Sequence, residues 1–250
     1  MGGEQVRAWN GRELGPPTDD HATTLLAADS WLVTEGRVLG LDLHRDRFLA
    51  SVGASVDAQE FFAAAVAALP RAGDIFPRVE LTPDGLQLRV RPAPPRRRSV
   101  VLWTSPVDPR RTLKCKGPDI AQLGLLRDRA ESVGADEAVI LDRDGALVDG
   151  TSSAVLWWRG DALVVPPAST ARVPSVTART VSVLAGALGI ELIEAPTAPA
   201  ALAGHEVWTA NALHGLRLAT AWIDGPELAA TPGRLDSWRR RLDALRRPLP

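Results

Sequence analysis

Only two of the 29 basic residues are lysine, Lys114 and Lys116; the other 27 are arginine. Arginine serves wherever a surface positive charge is enough, whereas a lysine amine can lose its proton in a suitable pocket and attack a carbonyl. Lys116 stands directly before Gly117-Pro118-Asp119, at the mouth of a predicted helix, which makes it the candidate nucleophile. Farther along, Asp149 ends a predicted strand and is followed by the small, hydroxyl-rich run Gly150-Thr151-Ser152-Ser153. Ser175-Val176-Thr177 then precedes a helix start, where unsatisfied backbone N–H groups and the macrodipole suit a phosphate. Arg47, on an early predicted helix, adds a charged donor.

Other chemistries are poorly represented. There is no Gly-x-x-x-x-Gly-Lys-Ser/Thr loop, no strand-led Gly-x-Gly-x-x-Gly and no Gly-x-Ser-x-Gly elbow. His21, His44, His205 and His214 are scattered and lack zinc-ligand spacing with the single Cys115, so each is expected to be structural or at the surface. One cysteine excludes an internal disulfide framework. A formal net charge of −1 argues against a nucleic-acid surface, and no apolar run approaches a membrane span. The N-terminus lacks the pattern of a secretion signal, so the expected address is the cytoplasm and the expected partner a small-molecule substrate.

The elements that must position these residues read as an α+β protein. Residues 1–28 are expected to form an irregular lead-in. A hairpin turns at Glu35-Gly36, and helices span 44–55 and 57–69, the second capped by Asp57 and stopped by Pro70. Strands at 78–82 and 86–91 flank Pro83-Asp84-Gly85, and a Pro/Arg connector at 92–98 leads to a strand at 100–104. The stretch 105–109 is expected to be a hinge, giving a small N-terminal domain over 1–105 and a larger one over 106–250 that carries Lys116. In the second half, helices are predicted near 118–133, 177–188 and 235–245. Hairpins are predicted at 137–149 and 154–165, and further strands at 191–194, 206–210 and 216–223. Sustained βαβ alternation is not expected.

The order of the chemical groups resembles the class IV aminotransferases, the fold-type IV family that uses pyridoxal phosphate. The resemblance covers roughly residues 29–225. His44-Arg45-Asp46-Arg47 matches the family's His-x-x-Arg; Lys116 leads through a helix to Gly134-Ala135-Asp136-Glu137-Ala138; Asp142 to Gly145 forms the Asp-x-x-Gly turn; and Asp149-Gly150-Thr151 follows. Ser175-Val176-Thr177-Ala178 stands for the Gly-Ile-Thr-Arg-like phosphate loop, and Asn211-Ala212-Leu213 looks like the Asn-Ala-Leu of aminodeoxychorismate lyases. Register from Gly134-Ala135-Asp136-Glu137 favours Lys116 over Lys114.

The resemblance implies a two-domain fold-type IV architecture, a homodimer and pyridoxal 5'-phosphate as cofactor. It implies that Lys116 forms the Schiff base, that Asp149 faces the pyridine nitrogen, and that Arg47, Val176 and Thr177 hold the phosphate, with Asn211 and Ala212 also at the cofactor. It points to a lyase like aminodeoxychorismate lyase, with a branched-chain or D-amino-acid transaminase, or a homologue without the cofactor, as alternatives. Three positions depart from the family pattern. Asp149 replaces a glutamate, Ala178 replaces an arginine with Arg179 only adjacent, and the chain has no tyrosine.

Overall fold

The computed structural model describes residues 3–17 and 24–250, so His21 and part of the expected lead-in lie outside the described residues. The chain divides into two compact units. The first comprises Met1–Pro95, Cys115–Ile120 and Leu245–Pro250; the second comprises Arg96–Lys114 and Ala121–Ala244.

The first unit begins with β1 (Gln5–Trp9), β2 (Leu14–Gly15) and β3 (Ala27–Ser30), where the sequence had suggested irregular chain. Short polar segments of this kind carry little strand signal alone; antiparallel pairing with residues 87–90 fixes β1. Then come β4 (Val33–Thr34), β5 (Arg37–Val38), α1 (Leu41–Val52), α2 (Val56–Ala67), β6 (Asp74–Ile75), β7 (Arg78–Thr82) and β8 (Gly85–Val90). An antiparallel sheet runs β2-β1-β8-β7-β3, and a second joins Arg247–Pro248 to β5, β4 and β6.

Period-two alternation explains the first sheet. Val79 pairs with Leu88 and faces the core, while the neighbouring pair Glu80 and Gln87 takes the other face. α1 and α2 cover the apolar side through Phe48, Phe61 and Phe62, with the Trp31 and Phe62 rings 5.4 Å apart. α1 starts at Leu41, three residues before the expected His44. α2 is capped by Ser55, whose Oγ accepts from Ala58 N at 3.2 Å. The expected cap, Asp57, lies inside the first turn, and its carboxylate accepts from Trp9 Nε1 instead.

The second unit holds β9 (Ser99–Thr104), most of α3 (Ile120–Ser132), β10 (Glu137–Leu141), β11 (Leu147–Gly150), β12 (Ala154–Arg159) and β13 (Ala162–Val165). It continues with α4 (Val176–Ala187), β14 (Leu192–Glu194), β15 (Glu206–Asn211), β16 (Gly215–Ile223) and α5 (Arg234–Ala244). Its sheet runs β11-β10-β9-β16-β15-β12-β13-β14. The expected hairpins are present. However, β9 and β10 are parallel across α3, and β13 and β14 are parallel across α4, so two crossovers complement the hairpins. Edge-to-face contacts among Trp158, Trp208 and Trp238, with centroids 5.3 to 5.8 Å apart, pin α5 to the sheet.

The unit boundary differs from the expected division at residue 105. β9 pairs with both β10 and β16 and therefore belongs to the second unit. Segment 115–120, with Lys116, belongs to the first unit, because the Lys116 carbonyl accepts from Ala28 N at 2.6 Å.

Candidate active site

In the first unit, chemistry gathers where β3, α1 and the 115–117 segment meet. β3 presents Asp29 on its α1 side, and α1 carries His44 and Arg47 three residues apart, on one face. Asp29 is wholly buried. Its Oδ2 accepts from Arg47 Nε at 2.6 Å, and its Oδ1 accepts from Arg47 Nη2 at 2.8 Å and faces His44 Nδ1 at 2.7 Å. Burial alone would raise the Asp29 pKa, but His44 and Arg47 hold it down to about 2. The ionised carboxylate makes Nδ1 the hydrogen-bearing nitrogen of a neutral His44. Burial is the main cause holding that ring below its ordinary pKa, and Arg47 and Lys116 add to it against Asp29.

Lys116 is half-buried, whereas Lys114 is exposed. Gly117 explains how the Lys116 backbone lies so close to β3. Its φ is 137°, and a Cβ there would stand 2.7 Å from the Ala27 backbone. The sequence had marked Lys116, His44 and Arg47 but not Asp29. Its signal was an acid, followed by Ser30, inside the otherwise apolar run from Leu25 to Val33.

The second unit carries the rest. Asp149 lies on β11, and its Oδ1 is enclosed without a hydrogen-bond partner among the described residues. Burial is the leading cause raising its pKa, to about 7; Arg172 and Arg110 pull it down, and Glu137 pushes it up. An enclosed carboxyl oxygen with no partner of its own accepts an incoming N–H group in its ionised form, and such a donor would favour that form.

Beneath the 150–153 turn sits a buried hub that the sequence reading missed. Glu137 Oε1 accepts from the Thr151 hydroxyl and from Ser152 N at 2.8 Å. Its Oε2 accepts from Ser152 Oγ at 2.7 Å, Ser153 Oγ at 2.6 Å and Arg217 Nη2 at 2.9 Å. Gly150 lets the turn approach, since a Cβ there would lie 3.1 Å from Glu137 Oε1 and 2.9 Å from Ser153 O. The clue was an arginine inside an apolar strand, because buried arginine needs a carboxylate.

α4 begins as expected beyond Ser175, whose Oγ accepts from Ala178 N at 3.2 Å. The Val176 and Thr177 N–H groups are those of the first turn that this side chain does not take, and both residues are buried. Arg179 is exposed on α4, next to the buried Ala178. Asn211 ends β15 and Ala212 opens the turn to β16, where Asn211 Oδ1 accepts from His214 N at 2.8 Å and its Nδ2 reaches Ser153 Oγ at 3.4 Å. Among the described residues no His, Cys, Asp and Glu group could hold a metal ion, and no helix is long and apolar enough to cross a membrane.

A family model described as Amino-transferase class IV matches residues 26–222. No curated protein sequence matches the chain. Among solved structures, the branched-chain aminotransferase from Thermoproteus uzoniensis with norvaline is 19% identical, with 99% of this chain and 100% of that one covered and a TM-score of 0.81. The branched-chain aminotransferase of Escherichia coli is 15% identical over 98% and 94% of the chains, with a TM-score of 0.80. An aminotransferase from Brucella abortus bound to the cofactor PLP is 15% identical over 95% and 98%, with a TM-score of 0.78. At these identities the likeness shows the fold.

Proposed function

The chain belongs to the class IV aminotransferase family, and from that premise we propose that it is a pyridoxal-phosphate-dependent enzyme acting on a small amino-containing acid. The enclosed, protonatable Asp149 Oδ1 carries this reading, because it is an acceptor suited to a pyridine N–H and lacks any other partner among the described residues. The remaining donors also suit the cofactor: a half-buried lysine, an arginine fixed by a buried acid, and the open first turn of α4.

When bound, the pyridoxal group supplies an electron sink for the bond broken at the substrate's amino-bearing carbon. Lys116 would hold it covalently, and its Nζ, once released, would move the proton at that carbon. Asp149 Oδ1 would hold the proton shared with the ring nitrogen. In the first unit Arg47 would bind phosphate; in the second, the Val176 and Thr177 N–H groups would do the same at the positive end of α4. Asn211 and Ala212 would supply turn donors near the cofactor.

Within the family we favour an aminodeoxychorismate lyase-like activity over a branched-chain or D-amino-acid transaminase, on the strength of Asn211-Ala212-Leu213. A homodimer belongs to the same proposal and is tested by light scattering. Residence in the cytoplasm is also part of it and rests on the sequence alone. Incubating PLP-loaded protein with candidate amino acids, with and without a 2-oxo acid, tests the function. Turnover that needs no acceptor supports the lyase, and turnover that requires one supports a transaminase. Failure of the protein to load PLP at all would point to a homologue that has lost the cofactor.

A further inference from the structure

A carboxylate on the core-facing side of a sheet is costly unless charged partners meet it. Asp29 sits there, in register with core residue Val79, and is wholly buried. α1 answers with two donors one turn apart: the His44 ring and the Arg47 guanidinium. The Arg47 contact is a fork, with Nε and Nη2 each reaching a different Asp29 oxygen at 2.6 and 2.8 Å. Because the guanidinium is planar, committing its Nε–Nη2 edge to Asp29 sets the direction of its opposite, Nη1–Nη2 edge. The same stretch of β3 holds the Lys116 backbone, through Ala28 N at 2.6 Å, one residue before Asp29.

We propose that Asp29 is a positioning residue that aims Arg47 at the cofactor's phosphate, a role that rests on reading Arg47 as a phosphate-binding residue. His44 braces the pair from the side, through its hydrogen bond to Asp29 Oδ1. An arginine so held meets the phosphate already ordered, which lowers the entropy lost on binding. Asp29 thereby favours the phosphorylated cofactor over its unphosphorylated form without touching either.

The test measures, on the full-length protein freed of cofactor, the affinities for pyridoxal 5'-phosphate and for pyridoxal. The ratio of the two isolates the phosphate contribution, and pyridoxal binding reports whether each variant is folded. Arg47→Gln should lower the ratio about tenfold or more, the scale of a lost charge-assisted hydrogen bond. Asp29→Asn should lower it to a similar extent while pyridoxal affinity stays within about threefold, and the double variant should be little worse than Arg47→Gln alone. If Asp29→Asn does not fold, Asp29→Glu decides. It keeps the charge but displaces the carboxylate by a methylene, so positioning predicts a lowered ratio and a purely charge-balancing role predicts an unchanged one. An unchanged ratio in the folded Asp29 variants, with a lowered ratio in Arg47→Gln, overturns the proposal and leaves Arg47 as a phosphate-binding residue. An unchanged ratio in Arg47→Gln overturns that underlying reading.

Discussion

Arg217 on β16 donates to Glu137 on β10, Nη2 to Oε2 at 2.9 Å, and both side chains are almost completely buried in the second unit. The same Nη2 reaches Ser153 Oγ at 3.0 Å, so one guanidinium ties a strand to the turn that follows Asp149.

Removing one partner of a buried ion pair leaves the other charge uncompensated. Arg217→Ala should therefore destabilise the protein by about 3 to 5 kcal/mol in urea unfolding. Arg217→Met, which refills the volume, should still cost more than Glu137→Gln combined with Arg217→Met, because the double variant strands no charge. Equal stability of the two would separate Glu137 from Arg217 energetically.

Gly117→Ala should be disruptive for two independent reasons: a φ of 137° and a Cβ 2.7 Å from the Ala27 backbone. We expect a loss of about 1 to 3 kcal/mol, read by thermal unfolding. Because the change displaces the segment on β3, the yield of PLP attachment at Lys116 should fall too. A variant with wild-type melting and wild-type attachment contradicts the packing described.

Asp149 makes a signed pH prediction for the cofactor-free protein. Its folded pKa, about 7, lies above the unfolded value, so the folded state binds more protons between about pH 4 and 7. Stability from this group therefore falls as pH rises through that window. His44 and His214 are held below their ordinary pKa chiefly by burial, and they act in the opposite direction, adding stability as pH rises toward 6.5. Urea midpoints of wild type minus Asp149→Asn isolate the carboxyl. The difference should decline from pH 4 to 7, and a flat or rising difference would rule out a protonated Asp149.

With the cofactor loaded, Asp149→Asn should lower turnover far more than cofactor retention, since the phosphate contacts proposed for Arg47 and the first turn of α4 would remain. Asp149→Glu should be tolerated, because it restores the side chain that the family pattern carries. Normal turnover by Asp149→Asn removes Asp149 from the mechanism.

The parts of the fold written in local chemistry were legible in the sequence. Turn residues marked the β7–β8 and β10–β11 hairpins, and the order of Lys116, Asp149 and Ser175-Val176-Thr177 identified the family. Long-range pairing hid the rest. β1 exists because β8 supplies its partner, Ser55 rather than Asp57 caps α2 because the Asp57 side chain engages Trp9, and segment 115–120 joins the first unit through Ala28. Asp29 and Glu137 escaped notice for the same reason, since their partners lie 14 to 80 positions away in the chain.

Identifying the residue that takes the cofactor is the most direct test of the account. Borohydride reduction of the protein with pyridoxal 5'-phosphate, followed by peptide mapping, should place a single phosphopyridoxyl group on Lys116, the half-buried lysine held against β3. A label on exposed Lys114, or no label at all, would contradict it.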